Sequence, residues 1–512
     1  MPVEETSLAP INSAVATIAH PNPVREALSS GQFCYFIELV ASATMREARL
    51  LEIASHLARV PGIVAGGITS FAGGALGQNP VRIGAAARAR GLSPNVHLTC
   101  VSRDRLDLRN TLEDMNALGM ENVFAITGDY PKTSGGTSKP YFHLDSVQLV
   151  EMINELRQGG MPFYISVAVS PFKYTEADCA YQYLKLEKKI SAGADYAITQ
   201  LGFDAKKFRE LKRYMDERGL RTPVLGNVYV LNQRAAEKMS KGEPPGCWVS
   251  PELVERIREE SKAEDKGLAA RLERAAQMVA IVRGLGYAGA YIGGEHQAKR
   301  IHWIIERSEE LAPRWEELAE EMTFAPKNGF YFFETPASPK KSPALMPQVL
   351  DTLGHVFNVK KPGPLRNLVT GAMEWVDHHP ALSSALERAE FVMKSPMFGC
   401  EECGNCVLEY TEYVCPQTCP KNLRNGPCGG TLNGHCEVED KQCVWVSVYE
   451  RARDAGRVED LKTYVPPRKL ELKGTSSWVN YFLNRDSRPG REEKLINIQP
   501  ADTARRAPKN GK

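Results

Sequence analysis

No stretch of this 512-residue chain carries an apolar run long enough to cross a bilayer. Its start, "MPVEETSLAP", is acidic and lacks the apolar core of a secretory leader. An excess of charge of one sign is also missing. The 64 Lys and Arg against 62 Asp and Glu leave +2, no global field for nucleic acid or an anionic membrane surface. No G-x-G-x-x-G fingerprint follows the first apolar run, which argues against a dinucleotide-binding open sheet. No internal repeat longer than one strand–helix unit is visible. What remains is an ordinary globular composition, 43% hydrophobic and 25% charged. The length calls for two or three domains, and the expected compartment is the cytoplasm.

From residue 32 to about 310, short β-branched apolar runs alternate with stretches of helical period. Eight runs read as strands: 33–41, 62–68, 95–100, 122–128, 164–170, 196–203, 223–230 and 289–294. Between them lie helical patterns such as "CAYQYLKLEKKISAGA", where Tyr183, Leu186 and Ile190 keep to one face. Eight strand–helix units predict an α/β fold, a (β/α)8 barrel, with a doubly wound open sheet as the rival. "GGITSFAGGALG" (66–77) reads as a loop after the second strand. Residues 1–31 form an N-terminal extension. Residues 311–345 read as a Pro/Lys/Ser-rich linker with one apolar anchor. Residues 346–475 read as a smaller, mainly helical, cysteine-rich domain, and 476–512 as a polar tail.

Barrel chemistry sits at the C-terminal ends of strands, so polar residues there carry weight. Glu38 interrupts "YFIELVA". A salt-bridged barrel acid and a general acid of raised pKa both fit it. Asp129 follows Gly128 in "TGDYP" and serves either to stabilise a turn or to face the mouth. Gln200 in "AITQLGF" brings an amide donor and acceptor, suited to a heterocycle edge. His97 in "VHLTC" reads as a satisfied core histidine before a ligand.

The twelve cysteines are uneven: eight lie between Cys400 and Cys443. Cys400, Cys403, Cys406, Cys415, Cys419, Cys428, Cys436 and Cys443 make two complete four-ligand sets. In a reducing compartment such crowding points to metal before disulfides. The C-x2-C-x2-C opening and the Pro after Cys415 and Cys419 resemble ferredoxin-type ligation, but spacing leaves zinc and iron–sulfur open. The adjacent histidines of "DHHP" (377–380) read as a solvated helix-end pair before metal ligands.

Taken together, "PNVHLTCVSRD", "NVFAITGDYP" and "KKISAGADYAITQLGFD" resemble the signature blocks of methylenetetrahydrofolate reductases, in order and spacing, over residues 32–310. "CPKNLRNGPCGG" and "CVWVSVYERA" resemble the cysteine-rich C-terminal domain that accompanies some acetogen-type members. The resemblance implies a flavin-containing barrel interconverting 5,10-methylene- and 5-methyltetrahydrofolate. It implies Glu38 as the acid that opens the folate imidazolidine ring. Asp129 is implied beside flavin and pterin, and Gln200 at the folate. It implies flavin contacts at His97 and Lys189, and, roughly, at Phe142 and Asp145 near the adenylate part of FAD, with FMN left open. The family's frequent Arg two residues before the aspartate is Thr127 here, and its folate contacts after strand eight are replaced by "IGGEHQ". Glu295 and His296 there either take over substrate contacts or cap the next helix.

The cysteine-rich part, with zinc or [4Fe-4S] implied, then either relays electrons to the flavin or staples the fold. The expected partners are tetrahydrofolates, with NAD(P)H or an electron-transfer protein, in a homo-oligomer; nucleic acid is not among them. The direction of reaction stays open. The competing functions are a folate barrel passing methyl groups to a corrinoid protein, which needs no flavin, and a non-catalytic electron-transfer scaffold.

Overall fold

The computed structural model describes residues 21–69, 77–131, 139–341 and 363–489. Residues 70–76 of the expected glycine-rich loop lie outside the described residues. Eight parallel strands appear in chain order: β1 (Cys34–Val40), β2 (Ile63–Thr69), β3 (Pro94–Thr99), β4 (Asn122–Ile126), β5 (Tyr164–Val169), β6 (Tyr196–Thr199), β7 (Val224–Tyr229) and β8 (Gly289–Gly293). They close into a barrel, β8 pairing with β1 from Cys34↔Gly289 to Ile37↔Ile292. Closure excludes the open-sheet rival. The expected sixth strand ran to residue 203; β6 stops at Thr199, so Gln200 opens a loop at the mouth.

Strand alternation decides which side chains face where. In β1, Ile37 and Leu39 join the core between sheet and surrounding helices. Phe36 points inward, in a separate cluster with Phe124, Tyr164, Tyr196, Leu225 and Tyr291. The helix Pro23–Ser30 plugs that inner core from below with Val24, Ala27 and Leu28. Its N-cap Asn22 also donates to Asn122 Oδ1 across the barrel floor at 2.8 Å. Above, several helices of the outer ring start on a side-chain cap: Asp145, Thr175, Asp204, Asn232 and Ser250 each accept from first-turn N–H groups.

The stretch expected as a linker is packed on the barrel up to about residue 333, and residues 336–341 are exposed. Helix Ala298–Leu311 leads into Trp315–Glu321, whose Trp315 ring lies over Gly284, where a Cβ would stand 2.2 Å from it. Met322, Phe324 and Phe330 enter the outer barrel core, and Phe332 meets Tyr183 and Tyr214 edge-on.

The C-terminal region holds helices Pro364–Asp377, Pro380–Phe398, Val444–Asp454 and Ser477–Phe482, with 400–443 in turns and short 3-10 segments. Residues expected at the start of a polar tail are ordered into it: Ser476, Ser477, Asn480, Asp486 and Ser487 are buried. His378 and His379 sit at a helix end, each ring Nδ1 2.7 Å from the carbonyl four residues back. The region packs on helix Glu176–Ser191, with Tyr181 edge-on to Trp445 at 5.5 Å. Among the described residues no helix is long and apolar enough to cross a membrane.

Candidate active site

At the C-terminal mouth lies a cavity of about 360 Å³. Five of the expected residues share its wall: Glu38, His97, Asp129, Lys189 and Gln200. Alternation in β1 turns Glu38 inward, where burial pushes its carboxyl up to about 7. Its register partner on β2 is Gly67. A Cβ there would stand 2.2 Å from the Tyr291 hydroxyl, so only glycine lets that ring lie across β2. The Tyr291 hydroxyl in turn meets His97 Nε2 at 3.3 Å. Burial pushes the His97 imidazole down to about 3, so it is neutral at ordinary pH. Asp129 reaches the wall because Gly128 turns with φ +88, over Val101 and Thr99. Lys189 Nζ donates to the Ala168 carbonyl at 2.6 Å, and burial pushes its amine down to about 7. Gln200 Oε1 accepts from the Leu201 N–H at 2.9 Å.

Four expected residues are not brought to the cavity wall. Asp145 is consumed elsewhere. Its Oδ1 caps helix Ser146–Gln158, while Oδ2 accepts from the N–H groups of Arg424 and Asn425 and from Asn425 Nδ2, at 3.0–3.1 Å. Phe142 lies behind the mouth, stacked on Tyr130 with ring centroids 6.3 Å apart. Glu295 turns back to accept from the N–H groups of His296 and Gln297, at 2.8 and 3.0 Å, and from Arg300. These bonds close the turn that leads into helix Ala298–Leu311, whose first-turn N–H groups carry no side-chain cap. His296 is held in the same turn, its Nε2 buried without a hydrogen-bond partner.

Several wall residues escaped the sequence reading. Ser170 Oγ and Asn227 Oδ1 are buried without partners in the wall, two polar groups that a bound ligand would satisfy. Lys185, one turn before Lys189, also lines it; the helix carries Glu176, Asp178, Glu187 and Lys188 as well, so its charge pattern does not single that pair out. The larger omission is a roof. Lys421, Pro427, Cys428, Gly429, Gly430 and Glu437 of the C-terminal region complete the cavity. Lysines of the barrel tie that roof down. Lys173 donates to the Gly429 carbonyl at 2.7 Å, and Lys185 to the Pro427 carbonyl at 2.8 Å. Gln182 Nε2 reaches the Cys428 carbonyl at 2.9 Å.

All twelve cysteines are free thiols. Cys400, Cys403, Cys406 and Cys415 line one small second cavity with Glu390 and Lys394. Of the other four clustered cysteines, Cys419 and Cys443 pack with Tyr181 and Leu184 of the barrel, Cys428 lines the barrel cavity, and Cys436 acts electrostatically on Cys419. Among the described residues, no group of three or more His, Cys, Asp or Glu is gathered to hold a metal ion. The thiols turn to separate neighbours: Cys403 to the Asn405 carbonyl, Cys406 toward Lys394, Cys428 toward Glu437. The donor chemistry nonetheless suits thiolate ligation. Burial pushes the Cys403 thiol up, while Arg424 and Arg468, which keep buried N–H groups without partners, oppose that with their positive charge.

Fold and cavity define a (β/α)8 barrel with an acid-bearing pocket at the mouth where such barrels carry their chemistry. The chain belongs to the methylenetetrahydrofolate reductase family: residues 24–288, over half of the 512, match the methylenetetrahydrofolate reductase model. Residues 379–471 match the model described as methylene-tetrahydrofolate reductase C terminal. A 5,10-methylenetetrahydrofolate reductase of Salmonella typhimurium is 32% identical over 152 residues, 29% of this chain and 48% of that protein. Methylenetetrahydrofolate reductase 2 of Schizosaccharomyces pombe is 25% identical over 246 residues, 44% of this chain and 37% of that protein. The chain thus spans about half the length, or less, of these curated relatives. A Clostridium thermocellum protein described as binding two copies of 5-methyl-5,6,7,8-tetrahydrofolic acid aligns at TM-score 0.39 and 10% identity, covering 57% of this chain and 99% of that one. A likeness that weak carries no argument.

Proposed function

We propose that this chain interconverts 5,10-methylene- and 5-methyltetrahydrofolate with a bound flavin. The observation that carries the reading is the convergence of Glu38, His97, Asp129, Lys189 and Gln200, from five separate parts of the barrel, on one cavity. The flavin, FAD or FMN, supplies the hydride-transfer chemistry when bound. Ser170, Asn227, His97 and Lys189 are the groups that would hold it, the first two through atoms with no partner in the protein. Glu38 holds its proton up to about pH 7 and gives it to the folate ring nitrogen whose bond to the one-carbon unit breaks. In the reverse direction the carboxylate takes that proton back. Asp129 brings a carboxylate to the site of developing positive charge, and Gln200 offers an amide to the pterin edge. His97 adds a neutral dipole. The roof of residues 421–437 excludes water from above.

The same proposal takes the eight clustered cysteines as ligands of zinc or [4Fe-4S] centres. The partnerless N–H groups of Arg424 and Arg468 beside Cys403 support an anionic sulfur group there. Cys428 in the cavity wall supports electron entry through the C-terminal region from a partner protein, in place of NAD(P)H at the mouth.

The test is an anaerobic absorption spectrum with metal analysis, before and after adding 5-methyltetrahydrofolate. The expected result is a flavin band that bleaches on addition. A broad underlying absorbance with bound iron assigns the cysteines to clusters; zinc alone makes them a staple. No flavin after reconstitution would overturn the reading and favour methyl transfer to a corrinoid partner.

A further inference from the structure

We infer that Lys421, delivered by the C-terminal region, is a positioning residue of the barrel site: locked to Glu437, its cation fixes the Gly128–Asp129–Tyr130 turn at the cavity wall. The inference rests on the reading of Asp129 as a site residue.

The turn is gripped at both ends by the C-terminal region. Lys421 Nζ donates to the Gly128 carbonyl at 2.8 Å. The Tyr130 N–H donates to Glu437 Oε1 at 3.3 Å. Lys421 and Glu437 form an ion pair with both side chains almost wholly buried. Asp129, between the two gripped peptides, is among the charges acting on Lys421. Phe142 serves as the shelf: the Lys421 ammonium lies 5.7 Å from its ring centroid, and the same ring stacks on Tyr130. Gly430 is the enabling residue. A Cβ there would stand 1.3 Å from Glu437 Oε2, so the last glycine of "GPCGG" is what lets the carboxylate through.

Energetics separate a site role from a simple staple. Burying an ion pair carries a large desolvation cost, and well-packed apolar groups hold two surfaces together as well or better. A cation spent at the edge of the cavity, beside a carboxylate, acts electrostatically on whatever that carboxylate faces. Lys421 and Glu437 follow Cys419 and Cys436 in the chain, so the grip forms only when the cysteine region is folded.

The experiment uses the full chain with Lys421→Met, Lys421→Arg and Glu437→Gln, and Lys473→Ala as an exposed-lysine control. The first readout, independent of catalysis, is amide exchange in the peptide covering 122–131. Lys421→Met and Glu437→Gln are expected to speed exchange at Tyr130 about tenfold or more, with Lys421→Arg near the parent. The second is folate-driven flavin bleaching: kcat is expected to fall about tenfold or more in Lys421→Met with KM nearly unchanged, and to recover in Lys421→Arg. A Lys421→Met protein that keeps kcat within about twofold while its melting temperature drops would make Lys421 a staple and overturn the inference. If the parent itself shows no flavin–folate chemistry, the proposed function fails. Exchange then decides alone: unchanged exchange in Lys421→Met overturns the positioning role, and accelerated exchange upholds it.

Discussion

Glu38 and Asp145 are both acids that sequence marks as site candidates, and they end in opposite circumstances. Glu38 stands in the mouth, where burial raises its pKa to about 7. Asp145 has both oxygens occupied by N–H donors. For Glu38→Gln the expected loss in turnover is about 10²–10⁴-fold, measured by stopped-flow flavin bleaching. In the parent, the proton-donating direction slows as pH rises through about 7, where the carboxyl ionises. The sign for folding is the same. The folded state holds this proton above the unfolded value of 4.5, so stability falls as pH rises from there to about 7. The Gln variant should lack that slope in denaturation curves. Gly67→Ala forces a Cβ 2.2 Å from the Tyr291 hydroxyl, with an expected cost of about 1–3 kcal/mol in urea melts.

Among the elements, helix Glu176–Ser191 explains most about the assembly. Its Tyr183 and Leu186 face the barrel core, which the helical period makes legible. Its opposite side, Tyr181, Leu184, Lys185 and Lys188, reads as a surface face and is buried, roofed by the C-terminal region. Two lysines on such a face look solvated in sequence; only the carbonyls of Gly426 and Pro427 over Lys185 reveal otherwise. Helix Ser146–Gln158 makes a similar junction through Asp145, some 280 residues from its partners. Asp145→Ala removes a cap worth about 1 kcal/mol and strands buried N–H groups at about 1–3 kcal/mol each. The expected destabilisation is about 3 kcal/mol or more, read from the midpoint of a urea curve with unchanged slope.

For the molecule as a whole, barrel and cysteine region share one cavity, so neither surface is independent of the other. Gly246 shows how closely they meet. With φ +79, it passes beneath Gly429, whose carbonyl oxygen would lie 2.3 Å from an added Cβ. Backbone cannot swing aside as a side chain does, so Gly246→Ala should lift the roof. Protease cleavage within 421–437 is expected to accelerate, while circular dichroism of the barrel stays near the parent's. Cleavage unchanged from the parent would show that the roof tolerates the displacement.

The strands and their order were legible because they depend on local period, a property carried by a few consecutive residues, whereas His97 and Asp129 were marked as site residues by the family resemblance. Glu295 was ambiguous because a carboxylate before a helix is the same in sequence whether it caps or binds; in the structure it folds back on the N–H groups of its own turn, a local geometry that no residue pattern specifies. Lys421 and Glu437 look like ordinary charged residues among cysteines, and nothing local distinguishes them. Sequence alone determined the barrel, its family and the acids at its mouth. Tertiary structure alone decided that the mouth is roofed and which charges share it, because burial and pairing arise only when distant segments exclude water together.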